Sequence, residues 1–187
     1  MNRAEALLES YGWEVEHCRQ VRNLALMLFD QLQPLHDLGN EERDILEAAA
    51  LLHDIGWTVA GKKHHKHSYR LIRENEAKLM PAEVELIANV ARYHRKSPPS
   101  EKHEAFASLK QDEQHVVRKL AALLRIADGL DRPHLQQVKR LTCEVGARQV
   151  TIRVGAIAEP VAHIAGGSRK RGLFEDVFGR PVEFSIL

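Results

Sequence analysis

Apolar residues return every three or four positions through most of the first two thirds of the chain, which predicts a succession of amphipathic helices. Between Glu14 and Leu32 the residues Val21, Leu24, Ala25 and Leu28 mark one helix face. A loop from Gln33 to Asn40, with Pro34 and Gly39, ends that helix. The next helix is expected over Glu41 to Ile55, with Asn40 as its N-cap and Glu42 and Asp44 in its first turn. Gly56 to Lys63 reads as a loop, and a third helix, about His64 to Glu76, presents Leu71 and Ile72. A fourth starts at Pro81, just after Met80, and carries Val84, Ile87 and Ala91 toward His94. Ser97 to Lys102 is a loop. The fifth and strongest helix spans about Asp112 to Leu130 and stops at Asp131-Arg132-Pro133.

After Pro133 the period changes. Leu141 to Val145 and Gln149 to Val154 alternate and are rich in β-branched residues, with Gly146-Ala147-Arg148 between them, so a β-hairpin is expected. Glu159 to Phe178 reads as a helix weakened by Gly166-Gly167, and a last strand covers Val182 to Leu187. The fold class is therefore mainly α. A helical bundle over residues 1–135 is followed by a small α/β appendage (hairpin, helix, last strand) over 136–187.

Composition narrows the function classes. With 187 residues, 44% hydrophobic and 28% charged, the chain can bury a core and stay soluble. A net charge of +1 points to no membrane or specific nucleic-acid partner, so any anion binding must rest on a local basic cluster. Cys18 and Cys143 are too few for a disulfide framework. The start of the chain, with Asn2, Arg3 and Glu5, carries no signal-peptide pattern, and no apolar run approaches the roughly 20 residues of a membrane helix. The expected location is the cytoplasm.

The chemistry lies in polar residues that continue apolar rows. His17 continues Val21, Leu24 and Leu28; His53 continues Ile45 and Ala49; His94 continues Ile87, Val90 and Ala91; Asp128 continues Val117, Ala121 and Leu124. Residues three and four apart share a helix face, so three histidines and a carboxylate point inward from four helices. A single inward histidine is usually a hydrogen-bonded core residue. Four such groups at helix ends, with Asp54 directly after His53, instead suggest a metal site, because a buried carboxylate needs a cation or hydrogen bonds. Imidazole with carboxylate suits Mn, Fe, Ni or Zn, with Mg less favoured.

His17, the run Leu51-Leu52-His53-Asp54-Ile55-Gly56 and the run Arg125-Ile126-Ala127-Asp128 resemble the H…HD…D signature of the HD superfamily of metal-dependent phosphohydrolases. The spacing fits, at about 35 residues to the pair and about 75 more to the last Asp. The resemblance implies an HD-type bundle in which His17, His53, Asp54 and Asp128 hold a divalent metal and an activated water attacks a phosphate ester or anhydride. A second resemblance reaches over nearly the whole chain. Tyr11-Gly12, His64-His65-Lys66-His67-Ser68-Tyr69, Arg92-Tyr93-His94-Arg95-Lys96 and the stretch from Leu173 to Pro181 are similar to the C-terminal half of exopolyphosphatase/guanosine-pentaphosphatase proteins. In those proteins polyphosphate hydrolysis belongs to an N-terminal actin-like pair of domains, for which this chain has no room.

Dinuclear HD proteins imply a second ion, held by His64 (four residues before Ser68) and His94, with Asp54 bridging; His65 and His67 compete for the His64 role. Lys63, Lys66, Arg95, Lys96 and Arg132 flank these positions as phosphate candidates, with Lys96 and Arg132 suited to steadying a departing charge. His36, His103, His115, His134 and His163 read as surface or structural, Cys18 as packing, Trp13 and Trp57 as cover for the site edge or core, and Ser168-Arg169-Lys170-Arg171 as a solvated helix face. The expected activity is phosphomonoester or phosphodiester hydrolysis on a nucleotide or similar small molecule, with one or two divalent ions. The rival is a non-catalytic module that binds polyphosphate or a guanosine alarmone. Polyphosphate and a second copy of the chain remain open as partners.

Overall fold

The computed structural model describes residues 3–79 and 81–187, so Asn2 and Met80 lie outside the described residues. Ala4, Leu7 and Leu8 recur at helical spacing, and they form the buried face of α1 (Arg3–Tyr11), where the sequence predicts no element. The first predicted helix is α2 (Val15–Gln31), which buries His17 on the same face as Val21, Leu24 and Leu28. The expected loop after it contains a single turn, α3 (Gln33–His36), opened by Pro34. In α4 (Asn40–Leu52) the N-cap is Gly39 rather than Asn40. The Gly39 backbone N–H donates to the Glu42 carboxylate at 2.7 Å, so the acidic first turn supplies the cap. The helix ends at Leu52, with His53 as its C-cap, and a 3-10 turn follows over Ile55–Thr58.

The next helices are shorter than expected: α5 (His64–Glu74) and α6 (Val84–Arg92). Pro81 opens a separate 3-10 turn, Pro81–Glu83, ahead of α6. A short α7 (Glu104–Ala107) precedes the long α8 (Gln111–Leu130), whose Val117, Leu120, Ala121 and Leu124 are fully buried. Helices α2, α4, α6 and α8 pack on one another around this core, and α5 packs against α6. Among the described residues no helix is long and apolar enough to cross a membrane.

In the C-terminal part, β1 (Val138–Val145) and β2 (Val150–Ala156) form the expected hairpin, and β3 (Val182–Ile186) joins β2 in parallel, giving the order β1-β2-β3. The helix expected over Glu159 to Phe178 is two helices, α9 (Val161–Lys170) and α10 (Gly172–Phe178), and the break falls at Arg171. The glycine pair serves a different purpose: it lets α9 touch α8. A Cβ on Gly166 would lie 2.0 Å from the Gly129 carbonyl oxygen and 3.0 Å from Arg132 Cβ. Backbone cannot yield as a flexible side chain does. Gly166→Ala is therefore expected to cost about 1–3 kcal/mol, read as a lower denaturation midpoint. Gly172→Ala, with nothing within 4 Å of the added methyl, is expected to be neutral or slightly stabilising in the same experiment.

Candidate metal centre

Helix ends bring the inward polar residues together. His17 lies in the first turn of α2, His53 caps α4 with Asp54 next to it, His64 opens α5, His94 follows α6, and Asp128 is near the end of α8. All six are buried, none more than 6% exposed. Ser68 ties two of these segments together, donating to the His53 carbonyl at 2.6 Å and accepting from the Gly56 N–H at 2.9 Å. Gly56 permits that approach, since a Cβ there would lie 2.1 Å from the His64 carbonyl oxygen.

The four histidines are oriented alike. Nδ1–H of His53 donates to the Ala50 carbonyl at 2.7 Å, that of His94 to the Ala91 carbonyl at 2.7 Å, and that of His64 to the Gly61 carbonyl at 3.1 Å. Nδ1–H of His17 donates to Asp131 Oδ2 at 2.8 Å, and the Asp131 carboxylate is fixed in turn by the Gln136 backbone N–H at 2.8 Å. Holding Nδ1 in this way leaves Nε2 as the nitrogen that carries the lone pair, which is how metal-binding histidines are prepared; at His64 that lone pair accepts from the Arg95 guanidinium. Asp131 is a participant that sequence reasoning missed.

These lone pairs converge in two groups, His17 with His53 and Asp54, and Asp54 with His64 and His94, the ligand atoms within each lying within 4.8 Å of one another. In the second group His64 Nε2 is 3.3 Å from His94 Nε2, and Asp54 Oδ1 is 3.3 and 3.5 Å from them. Ligand atoms about 2.1 Å from a tetrahedral ion stand about 3.4 Å apart. His17 Nε2 and His53 Nε2 of the first group, and Asp54 Oδ1 on the side of the second, are buried without a hydrogen-bond partner, while Asp54 Oδ2 lies 3.8 Å from His53 Nε2. Burial pushes His94 well below its ordinary pKa, and His53 adds to this; burial also lowers His64, against the pull of Asp54. Neutral imidazoles beside carboxylates make a donor set fit for a divalent cation.

Asp128 stands at the edge of the first group. Its Oδ1 is 3.8 Å from His17 Nε2, while its Oδ2 accepts from the Lys170 ammonium. Burial would raise its pKa, but Lys170, His94 and His53 outweigh burial and hold it below the usual carboxylate range. Lys170 therefore departs from the solvated helix face expected of Ser168 to Arg171: it crosses to the centre because the glycine contact brings α9 against α8.

A cleft of about 540 Å³ opens over Asp54, His64, His94 and Asp128. Its rim carries Arg95, Lys96, Arg132, Arg169 and Lys170, an excess of positive charge over the two carboxylates. Arg95 also donates to His64 Nε2 at 3.0 Å. Lys63 and Lys66 are exposed beside the start of α5 and are not among the residues lining the cleft. His134, expected to be a surface or structural residue, also lines the cleft, its ring stacked on His17 with centroids 3.6 Å apart. Trp57 forms part of the wall, stacked on His64 at 4.5 Å and on Trp13 at 5.7 Å. His163 is structural, buried and donating to the Leu130 carbonyl at 2.7 Å.

The fold and site define a class: a helical domain whose helix ends present two His/Asp clusters, able to hold a cation, beneath a cationic cleft. Residues 1–159 match the family Ppx/GppA phosphatase, domain III, and the chain belongs to that family. A guanosine-5'-triphosphate,3'-diphosphate pyrophosphatase of Aeromonas hydrophila is 33% identical over 155 residues, covering 80% of this chain and 30% of that protein. A protein of the same description from Aeromonas salmonicida is 40% identical over 70 residues, covering 37% of this chain and 14% of its own length. The chain thus spans less than a third of the length of these relatives.

Proposed function

We propose that this chain is an HD-type metal-dependent phosphohydrolase acting on a nucleotide or another phosphorylated small molecule. The observation that carries the reading is that His17 Nε2, His53 Nε2 and Asp54 Oδ1 are buried without a hydrogen-bond partner, within two groups of converging ligand atoms that share Asp54. Such atoms are costly to bury unless a cation joins them. In this reading His17, His53, Asp54 and Asp128 hold one divalent ion, and Asp54, His64 and His94 hold a second. Bound divalent ions would lower the pKa of water toward neutrality and offset phosphate charge.

The chain's own groups do the rest. Asp131 fixes the ring of His17, and the Ala50, Gly61 and Ala91 carbonyls fix the other three imidazoles. Arg95 grips phosphate oxygens, and Arg132 and Lys96 steady the charge on the departing group. Lys63 and Lys66, outside the cleft wall, would meet only the far end of a longer phosphate chain. The relatives' pyrophosphatase description makes a guanosine polyphosphate one member of the substrate panel.

The test is metal analysis of gently purified protein, then hydrolysis of nitrophenyl phosphates and a nucleotide panel with Mn, Fe, Ni, Zn and Mg. Protein that carries no stoichiometric metal and takes up none of these ions ends the proposal. A second reading, a non-catalytic module for polyphosphate or a guanosine alarmone, is favoured by the row of cationic side chains on the cleft rim, Arg95, Lys96, Arg132, Arg169 and Lys170. Metal-independent polyphosphate binding without turnover on any substrate would establish it.

A further inference from the structure

Lys170 enters the site from outside the part of the chain that carries the family match, which ends at residue 159. It is 42 residues beyond Asp128 and comes in on α9, whose backbone is held against α8 at the Gly129–Gly166 contact. Its ammonium donates to Asp128 Oδ2, and to the His94 carbonyl at 3.3 Å. The side chain is 21% exposed and lies in the cleft wall beside Arg132 and Arg169. One positive charge therefore already sits on a carboxylate whose other oxygen faces His17 Nε2.

We propose that Lys170 is an exchangeable internal cation: it neutralises Asp128 until a divalent ion takes that carboxylate, and it then becomes a ligand for substrate phosphate. The inference rests on the metal reading given under Proposed function. A divalent ion drawn to His17 and Asp128 places two positive charges near the ammonium, and at a few Å their repulsion in partly dry protein outweighs a surface-scale ion pair. A lysine side chain is flexible and carries three donors, so its release costs little as long as new acceptors exist. One remains in place, the His94 carbonyl, and phosphate oxygens collected by Arg132 and Arg169 would supply the others. Metal and phosphate then help each other to bind, because the first frees the group that the second needs.

Two measurements on the full chain test this. In calorimetry, Lys170→Gln is expected to bind Mn²⁺ about tenfold more tightly than the parent, since a competing charge has gone. The Mn²⁺-loaded variant should bind inorganic phosphate about tenfold more weakly, having lost a charge-assisted donor. Lys170→Arg, which keeps the charge, should keep the parent's Mn²⁺ affinity. The second measurement needs no variant. Acylation of Lys170 in the parent, followed by mass spectrometry, should rise on adding Mn²⁺ and fall again when phosphate is added. Equal or weaker Mn²⁺ binding by Lys170→Gln, or labelling of Lys170 indifferent to Mn²⁺, overturns the proposal while leaving the metal site standing. A parent that binds no Mn²⁺ or other divalent ion overturns both.

Discussion

Asp54→Ala is expected to bind neither ion and to lose turnover by about a thousandfold or more, yet to be at least as stable as the parent in the presence of a chelator. Asp54 is the residue common to both groups of converging ligand atoms, so its loss removes a donor from each. Without metal, its Oδ1 is a buried anionic oxygen with no hydrogen-bond partner, an arrangement that costs free energy. Alanine removes that cost and leaves a small gap beside the open cleft, which water can fill. Metal should reverse the comparison. At about a hundredfold excess over its dissociation constant, an ion adds about 2.7 kcal/mol to the parent and nothing to the variant. Thermal melts with chelator and with Mn²⁺ check both signs. A variant that melts well below the parent in chelator would show that Asp54 is a structural hydrogen-bonding residue, and the metal reading would lose its centre.

Much of this arrangement can be read from helical periodicity. His17, His53 and Asp128 continue apolar rows, and the structure buries each of them at the helix end where its row leads. Residues beyond a helix end, or distant in sequence, escape such reading. Asp131 follows the last residue of α8, where the 3.6-residue period no longer says where a side chain points, yet it fixes His17. His134 has a positive φ of 56°, and that turn, invisible in the sequence, lays its ring on His17. Lys170 depends on two helix backbones touching at Gly129 and Gly166, a contact of which the sequence shows only the helix-weakening pair Gly166-Gly167. Lys63 illustrates the converse. It is adjacent to His64 in the chain, but a left-handed backbone conformation with φ of 62° separates it from the direction His64 takes. Helix α1 had its pattern in plain view, in Ala4, Leu7 and Leu8, within a segment short enough to pass for simple alternation.

The two proposed ions are expected to respond differently to loss of their own histidines. His94→Ala should retain roughly one ion per chain and a reduced activity, with the fold intact, since only the second group contains His94. Its ring borders the cleft, so alanine opens a wet gap rather than a dry cavity, and the loss includes the hydrogen bond to the Ala91 carbonyl and the contact with His64 Nε2. His17→Ala should abolish activity and lower bound metal overall. It should also be the less stable of the two, because Asp131 is fully buried and its side chain would be left with only Gln136 as a partner. Metal therefore has to be counted on the folded fraction, after gel filtration, beside a melt of each variant. If His94→Ala and the parent carry equal metal, the second ion does not exist, and His94 instead holds substrate or supports the fold. If His17→Ala retains the parent's metal content and only its melting temperature falls, the contact with Asp131 is the whole of His17's role.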